Sequence, residues 1–286
     1  MPTQLFSFVQ VEVPWSLGPA DGRYVLRGHA GEPAYVLVVR TLGAPPAAGG
    51  PVARWRRSRP RAAASGAPPT PVLVTRATLI AARALDVPGE HWLRECDPQA
   101  LVAEAIAVLN DVVQAYRVAT ADPGVRPLTR EQALVARVGV GAGEEVAEGR
   151  WSRAVEVPAP HAPRRVRERR REERLAAILA VRDVALACEE LTLRARADFD
   201  AGRRREAALQ LRAAYEAALA ELTPWAGLGD IEARLDELRE LQPAADEAAR
   251  RALLGGVGDE PWAAASHALE RLEAALRARA YLAAGA

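Results

Sequence analysis

The sequence predicts an α+β protein: an N-terminal mixed or antiparallel β-sheet domain with one main helix, over residues 1–158, followed by a C-terminal all-α helical bundle over 159–286. Three observations predict it. Short β-branched runs bounded by Pro and Gly fill the first half, and Ala, Arg, Glu and Leu at helical spacing fill the second. The run Arg164-Arg165-Val166-Arg167-Glu168-Arg169-Arg170-Arg171 marks the change. A chain of 286 residues, half of them hydrophobic, is long enough for two domains with a core each.

Residues 5–13 alternate, with Val9, Val11 and Val13 on one side and Gln10 and Glu12 on the other, the pattern of a half-buried strand. Pro14 ends it. Asp21-Gly22 signals a turn, and Arg23 to Gly28 reads as a second strand. Ala34 to Arg40 is apolar and largely β-branched, which predicts a central strand covered on both faces. Residues 43–70 then hold six Pro, four Gly, eight Ala and no acidic residue, too little apolar surface to fix a backbone. The stretch reads as a disordered Pro/Ala/Arg-rich insertion within the first domain, since strand character resumes over Pro71 to Ile80. Its ends need not be far apart, because lengthening a flexible loop costs little.

Asp97-Pro98 predicts a helix start, Asp as N-cap and Pro in the first turn. Leu101, Ala105, Leu109, Val112, Val113 and Tyr116 form its apolar stripe, which should lie across the sheet. Leu134 to Val140 and Trp151 to Val157 read as two further strands joined by a Gly-rich turn.

Beyond Pro158 and Pro163 the period becomes helical. Ala177, Val181, Val184, Cys188, Leu191 and Ala195 step as a packing seam, predicting one helix that Asp200-Ala201-Gly202 terminates. A second runs from about Arg203 to Leu222, with Ala208, Leu211, Tyr215, Ala218 and Leu222 on one face. Short helices near 230–242 and 244–254 follow, then a last helix carrying Trp262, Ala265, Leu269, Leu272 and Leu276. Short connections imply antiparallel neighbours in a bundle. The hairpin through Ala195, Gly202, Ala207, Ala214 and Ala218-Leu219 resembles a single tetratricopeptide unit over about 35 residues. Asp198 departs from that pattern's aromatic position, and no second copy follows, so an ordinary bundle is the expectation.

Composition excludes several chemistries. All 38 basic residues are arginine. Schiff-base catalysis, a phosphate-binding loop with its lysine and a kinase-type clamp all need an amine this chain lacks. Gly139-Val140-Gly141-Ala142-Gly143 follows a strand, but Glu144 and Glu145 oppose a pyrophosphate and no helix has room to follow, so it reads as a turn. Cys96 precedes a helix start with Glu95 and Asp97 opposing its thiolate; Cys188 falls on the seam as a core residue. His29, His91, His161 and His267 are isolated, and no metal-ligand spacing occurs. No catalytic residue, cofactor or metal is assigned.

The arginine runs remain. Arg54, Trp55, Arg56, Arg57, Arg59 and Arg61 combine a stacking ring with phosphate-binding cations, and Arg164, Arg165 and Arg167 extend the candidate anion contacts. Net charge is only +1, so such a footprint would be local. The primary expectation is a non-enzymatic protein-interaction or assembly module whose bundle presents a partner or self-association face. One alternative is a nucleic-acid-associated protein using 54–61 and 164–171. Another is an enzyme with an Arg/carboxylate site at the domain junction, built on Arg150, Glu144 or Glu145. No apolar run approaches the roughly 20 residues of a membrane span, and the start Met1-Pro2-Thr3-Gln4 has no leader character, so a cytoplasmic location is expected.

Overall fold

The structure, a computed structural model, describes residues 4–28, 30–43, 73–159 and 165–285. The chain divides into two compact units, Met1–His161 and Ala162–Ala286. The first is α+β and the second is helical.

Among the described residues of the first unit, six strands form one sheet: β1 (Phe6–Val13), β2 (Gly22–Arg27), β3 (Pro33–Leu42), β4 (Val74–Ala81), β5 (Val135–Gly141) and β6 (Arg153–Glu156). The order is β2-β3-β4-β1-β5-β6 and every pairing is antiparallel. β3 and β4 are paired neighbours, with Leu42 opposite Val74. The expected insertion 43–70 runs between these two strands, and from residue 44 it lies outside the described residues.

One sheet face is buried as the alternation predicts. Val9, Val11 and Val13, with Leu37, Val39, Leu79, Ala136 and Val138, pack under Val102, Ala105, Leu109 and Val113 of a long helix. This helix, α2 (Pro98–Thr120), follows a short unpredicted one, α1 (Gly89–Glu95). The Asp97 carboxylate accepts the N–H groups of Gln99 and Ala100 at 2.9 and 3.2 Å, with Pro98 in the first turn. That satisfies donors a helix start leaves orphaned. The Tyr35 hydroxyl on β3 donates to Glu104 of α2 at 2.6 Å. That bond to a carboxylate, with partial burial, pushes the phenol up to about 12.

The opposite face corrects the half-buried reading of β1. Residues 142–151, including a 3₁₀ turn over Gly143–Glu148, fold over it and press Val146 and Ala147 onto Phe8, Val38 and Ile80. Gln10, expected at solvent, is 0 % exposed. The glycines of the 139–143 run make this closure possible. A Cβ on Gly139 would sit 2.6 Å from both the Arg153 carbonyl oxygen and the Phe8 ring, and one on Gly141 would sit 2.3 Å from Val146 Cγ1. Strand glycine here marks close approach rather than a ligand.

The second unit contains α3 (Arg165–Leu179), α4 (Ala187–Asp200), α5 (Arg204–Glu221), α6 (Ile231–Leu253) and α7 (Asp259–Gly285). Successive helices from α4 to α7 pack on one another, and α7 also meets α4 and α5. Leu211, Tyr215, Leu235, Leu238, Leu269 and Leu272 fill the centre beside many buried alanines, which let the helices approach closely. Two expectations fail. The seam from Ala177 to Ala195 is not one helix: it breaks at 180–186, where Val181 takes a left-handed φ of 58° and is 91 % exposed. The two short helices expected around 230–254 are one helix that runs through Pro243. Leu235 and Leu238 before the proline and Ala245 and Ala248 after it share one buried face, and that packing outweighs the lost N–H.

Gly139→Ala is expected to destabilise the first unit by about 1–3 kcal/mol, as overpacking does. Gly22→Ala, whose Cβ would meet only ordinary contacts, should be near neutral. Urea unfolding of the two variants, followed by circular dichroism, checks the difference.

Candidate functional site

Strand register decides which polar groups of the first unit meet. Gln10 stands opposite Thr78 on β4 and Arg137 on β5, and Glu12 stands opposite Arg76. Gln10 Nε2 donates to Thr78 Oγ1 at 3.0 Å, and its Oε1 accepts from Arg137 at 3.1 Å. Glu12 lies between two guanidiniums, Arg76 at 2.9 Å and Arg137 at 3.3 Å. The Arg137 guanidinium also sits 5.8 Å from the Trp151 ring centroid. Donors and acceptors in this row satisfy one another, so it specifies the register under 142–151 rather than offering a reactive group.

At the rim of the same face a cleft of about 150 Å³ is lined by Val38, Arg40, Glu144, Glu145, Ala147, Glu148 and Arg150. The structure therefore brings together Arg150, Glu144 and Glu145, the residues proposed for an Arg/carboxylate site. It does so on the first unit's own sheet face. Glu144 pairs with Arg23 at 2.6 Å, and Arg150 pairs with Glu145 and Glu148 at 3.4 and 3.0 Å. These side chains are about half exposed or more, where ion pairs are weak. The cleft is also smaller than the ~300 Å³ of ordinary ligand pockets.

The second unit holds its charges more tightly. Asp183, in the break between α3 and α4, has a side chain 2 % exposed. It accepts from the Val184 N–H at 2.7 Å and from Arg174 of α3 at 3.2 Å, and it pairs with Arg279 of α7 at 2.7 Å. Arg279 is 0 % exposed, its guanidinium 4.6 Å from the Trp225 ring. None of its nitrogens makes a well-angled hydrogen bond, so Asp183 holds it by charge rather than by a directed bond. Arg174 reaches on to Glu189 at 2.6 Å, whose other oxygen caps the Leu186 N–H at 3.0 Å. Burial pushes the Asp183 carboxyl up, but the Val184 N–H and the two guanidiniums outweigh it and hold the group below its usual range. Sequence spacing did not single out this cluster; its signal is a lone carboxylate set in an apolar seam.

Other candidates resolve more simply. Arg54, Trp55, Arg56, Arg57, Arg59, Arg61 and Arg164 lie outside the described residues, and Arg165 and Arg167 fall in the first turn of α3. Arg203, Arg204 and Arg205, a further run of basic residues, are engaged by Asp198, by Asp259 and by the Ala252 carbonyl. Burial, with Asp97 adding to it, raises the Cys96 thiol. Burial and the Glu221 carboxylate push Cys188 up to about 12, and both thiols are therefore poor nucleophiles. Among the described residues no group of three or more His, Cys, Asp or Glu could hold a metal ion, and no helix is long and apolar enough to cross a membrane. The chain matches no protein-family profile, no curated protein and no solved structure.

Asp183→Asn is expected to destabilise the second unit by about 3–5 kcal/mol, because Arg279 is left buried without its counter-charge. Asp183 is depressed on folding, so its contribution is complete above the unfolded aspartate value near 3.9 and fades as pH falls through the lower folded value. Thermal melts between pH 7 and pH 2 should show a steeper acid loss in the parent chain than in the variant.

Proposed function

We propose that the protein is a non-enzymatic cytoplasmic assembly module whose second unit pairs with a second copy of the chain through α3 and the turn after it. One observation carries the reading. Among the described residues, no α3 side chain belongs to the bundle core or to the apolar layer packed against it. Leu175 and Leu179, one turn apart, are 57 % and 75 % exposed, and Val181 and Val184 in the following turn are 91 % and 57 % exposed. A helix of 15 residues is marginal without tertiary packing, and such packing usually takes its leucines. Here Arg174 anchors the helix through charge while its leucines face water.

A second copy is the occupant best suited to this patch. The four apolar residues fall within residues 175–184, so a two-fold axis lays the patch against itself. α3 carries six arginines and three glutamates, so its glutamates offset only part of the repulsion between two copies and the apolar patch must supply the attraction. Four side chains bury too little area for an obligate dimer, so the association is weak and reversible.

Sedimentation velocity on the full chain should show a monomer–dimer equilibrium with a Kd on the order of 10–100 μM. Leu179→Asp, at an exposed position that leaves the bundle core intact, should weaken it at least about tenfold. A monomer at every concentration up to about 500 μM, or dimerisation indifferent to Leu179→Asp, would remove this reading.

A further inference from the structure

One cleft of the first unit differs from the matched charges described above. Past Val13 the chain leaves the sheet at Pro14 and passes Trp15 and Ser16 before Leu17, 4 % exposed, anchors it in the core. Gly18, at φ +110°, lies flat on the Tyr116 ring of α2, where a Cβ would stand 2.6 Å from Cδ1. The other wall begins where Ala121, at φ 51°, ends α2. It continues through Gly124 to Pro127 and reaches Leu128, whose N–H and carbonyl are both held by the Asn110 side chain at 2.8 and 3.0 Å. Both walls are thus pinned to the core. The cleft between them is about 560 Å³, within the ~300–1,000 Å³ range of small-molecule sites.

The chemistry of its lining is one-sided. Ser16 Oγ accepts the Gly18 N–H at 3.4 Å, Asp122 Oδ1 accepts the Gly124 N–H at 2.8 Å, and Gln132 Oε1 accepts the Thr129 N–H at 3.0 Å. Each of these side chains thus has one oxygen engaged by the backbone of its own wall. By contrast, among the described residues the Trp15 indole N–H, the Tyr116 hydroxyl and the Arg126 guanidinium have no hydrogen-bond or ion-pair partner. The cleft thus presents two aromatic rings, the Arg126 cation and donor hydrogens, with the Asp122 carboxylate as its one negative charge.

We propose that this cleft binds a small planar organic anion of the aryl-carboxylate class, its ring against Trp15 and Tyr116 and its carboxylate on Arg126. Guanidinium and carboxylate match as a two-pronged pair. Aromatic walls take a flat apolar body at little loss of side-chain freedom. Asp122, with its free oxygen on the rim, disfavours a second negative charge on the ligand, so a monoanion fits better than a dianion.

The test titrates 2-naphthoate into the full chain, read by calorimetry and by the Trp15 indole resonance in ¹H–¹⁵N spectra. Expected is saturable one-to-one binding with a Kd of tens to hundreds of micromolar, and the neutral 2-naphthamide about tenfold weaker. Arg126→Gln should weaken the carboxylate about tenfold while leaving the amide unchanged. Trp15→Ala should abolish both, and because that change could also loosen the wall, Arg126→Gln with an unchanged melting temperature decides the matter. Absence of saturation by about 5 mM, equal affinity for acid and amide, or indifference to Arg126→Gln would overturn the proposal.

Discussion

The arrangement of the second unit turns on one charge with no access to water. Arg279 is wholly enclosed, and a buried guanidinium is tolerable only beside a counter-charge. Asp183 supplies it, and the chain must deliver that carboxylate to α7. A helix continuing from α3 through residue 183 would carry the side chain along its own axis. Instead the chain leaves the helix after Leu179 and Val181 adopts a left-handed backbone that a β-branched residue takes at a cost of about 1–2 kcal/mol. Arg174 then reaches the same carboxylate and Glu189, so the break, the start of α4 and the hold on α3 all meet at one buried pair.

The first unit meets a different constraint: its central strands have two faces to cover and one long helix to do it. α2 takes one. The other falls to residues 142–151, an irregular segment whose Val146 and Ala147 are nearly inaccessible. A backbone so close to a sheet must satisfy polar groups on both sides. Gln10 Nε2 lies 3.4 Å from the Val146 carbonyl oxygen and an Arg76 nitrogen 3.5 Å from that of Ala147, so side chains of the row reach the covering segment itself. The row of Gln10, Glu12, Arg76 and Arg137 is therefore part of the cover.

Where the sequence was legible, a local rule and the tertiary structure agreed. The valines of β1, the Asp97-Pro98 start of α2 and the stripe from Ala208 to Leu222 each occupy the place their spacing indicates. The misreadings share a cause. Gln10 looks like a solvent residue because period-two alternation carries no information about a second cover. Val181 and Val184 extend a seam that breaks around Asp183, whose buried partner Arg279 lies 96 residues further along the chain. Pro243 looks like a stop, and only the shared buried face of α6 on either side of it shows otherwise. The charged cleft at Arg150, Glu144 and Glu145 was legible as a set of residues; its shallowness was not, because depth depends on how closely glycines 139 and 141 let the cover approach.

The groups that hold this molecule together are distinct from those it leaves over. On the covered sheet face of the first unit carboxylates and guanidiniums are matched across strands or at the cleft rim, and both thiols in the chain are held protonated. General acid–base or nucleophilic chemistry needs a group whose charge state is held in tension with its surroundings. The perturbed groups here are instead shifted toward their resting forms: Asp183 toward carboxylate, Tyr35 and Cys188 toward their neutral states. The surplus lies elsewhere, in apolar side chains of α3 and its turn and in unpartnered donors around Trp15 and Tyr116. Surplus of that kind is suited to recognition, because its free energy is released by a second surface arriving rather than by a proton leaving.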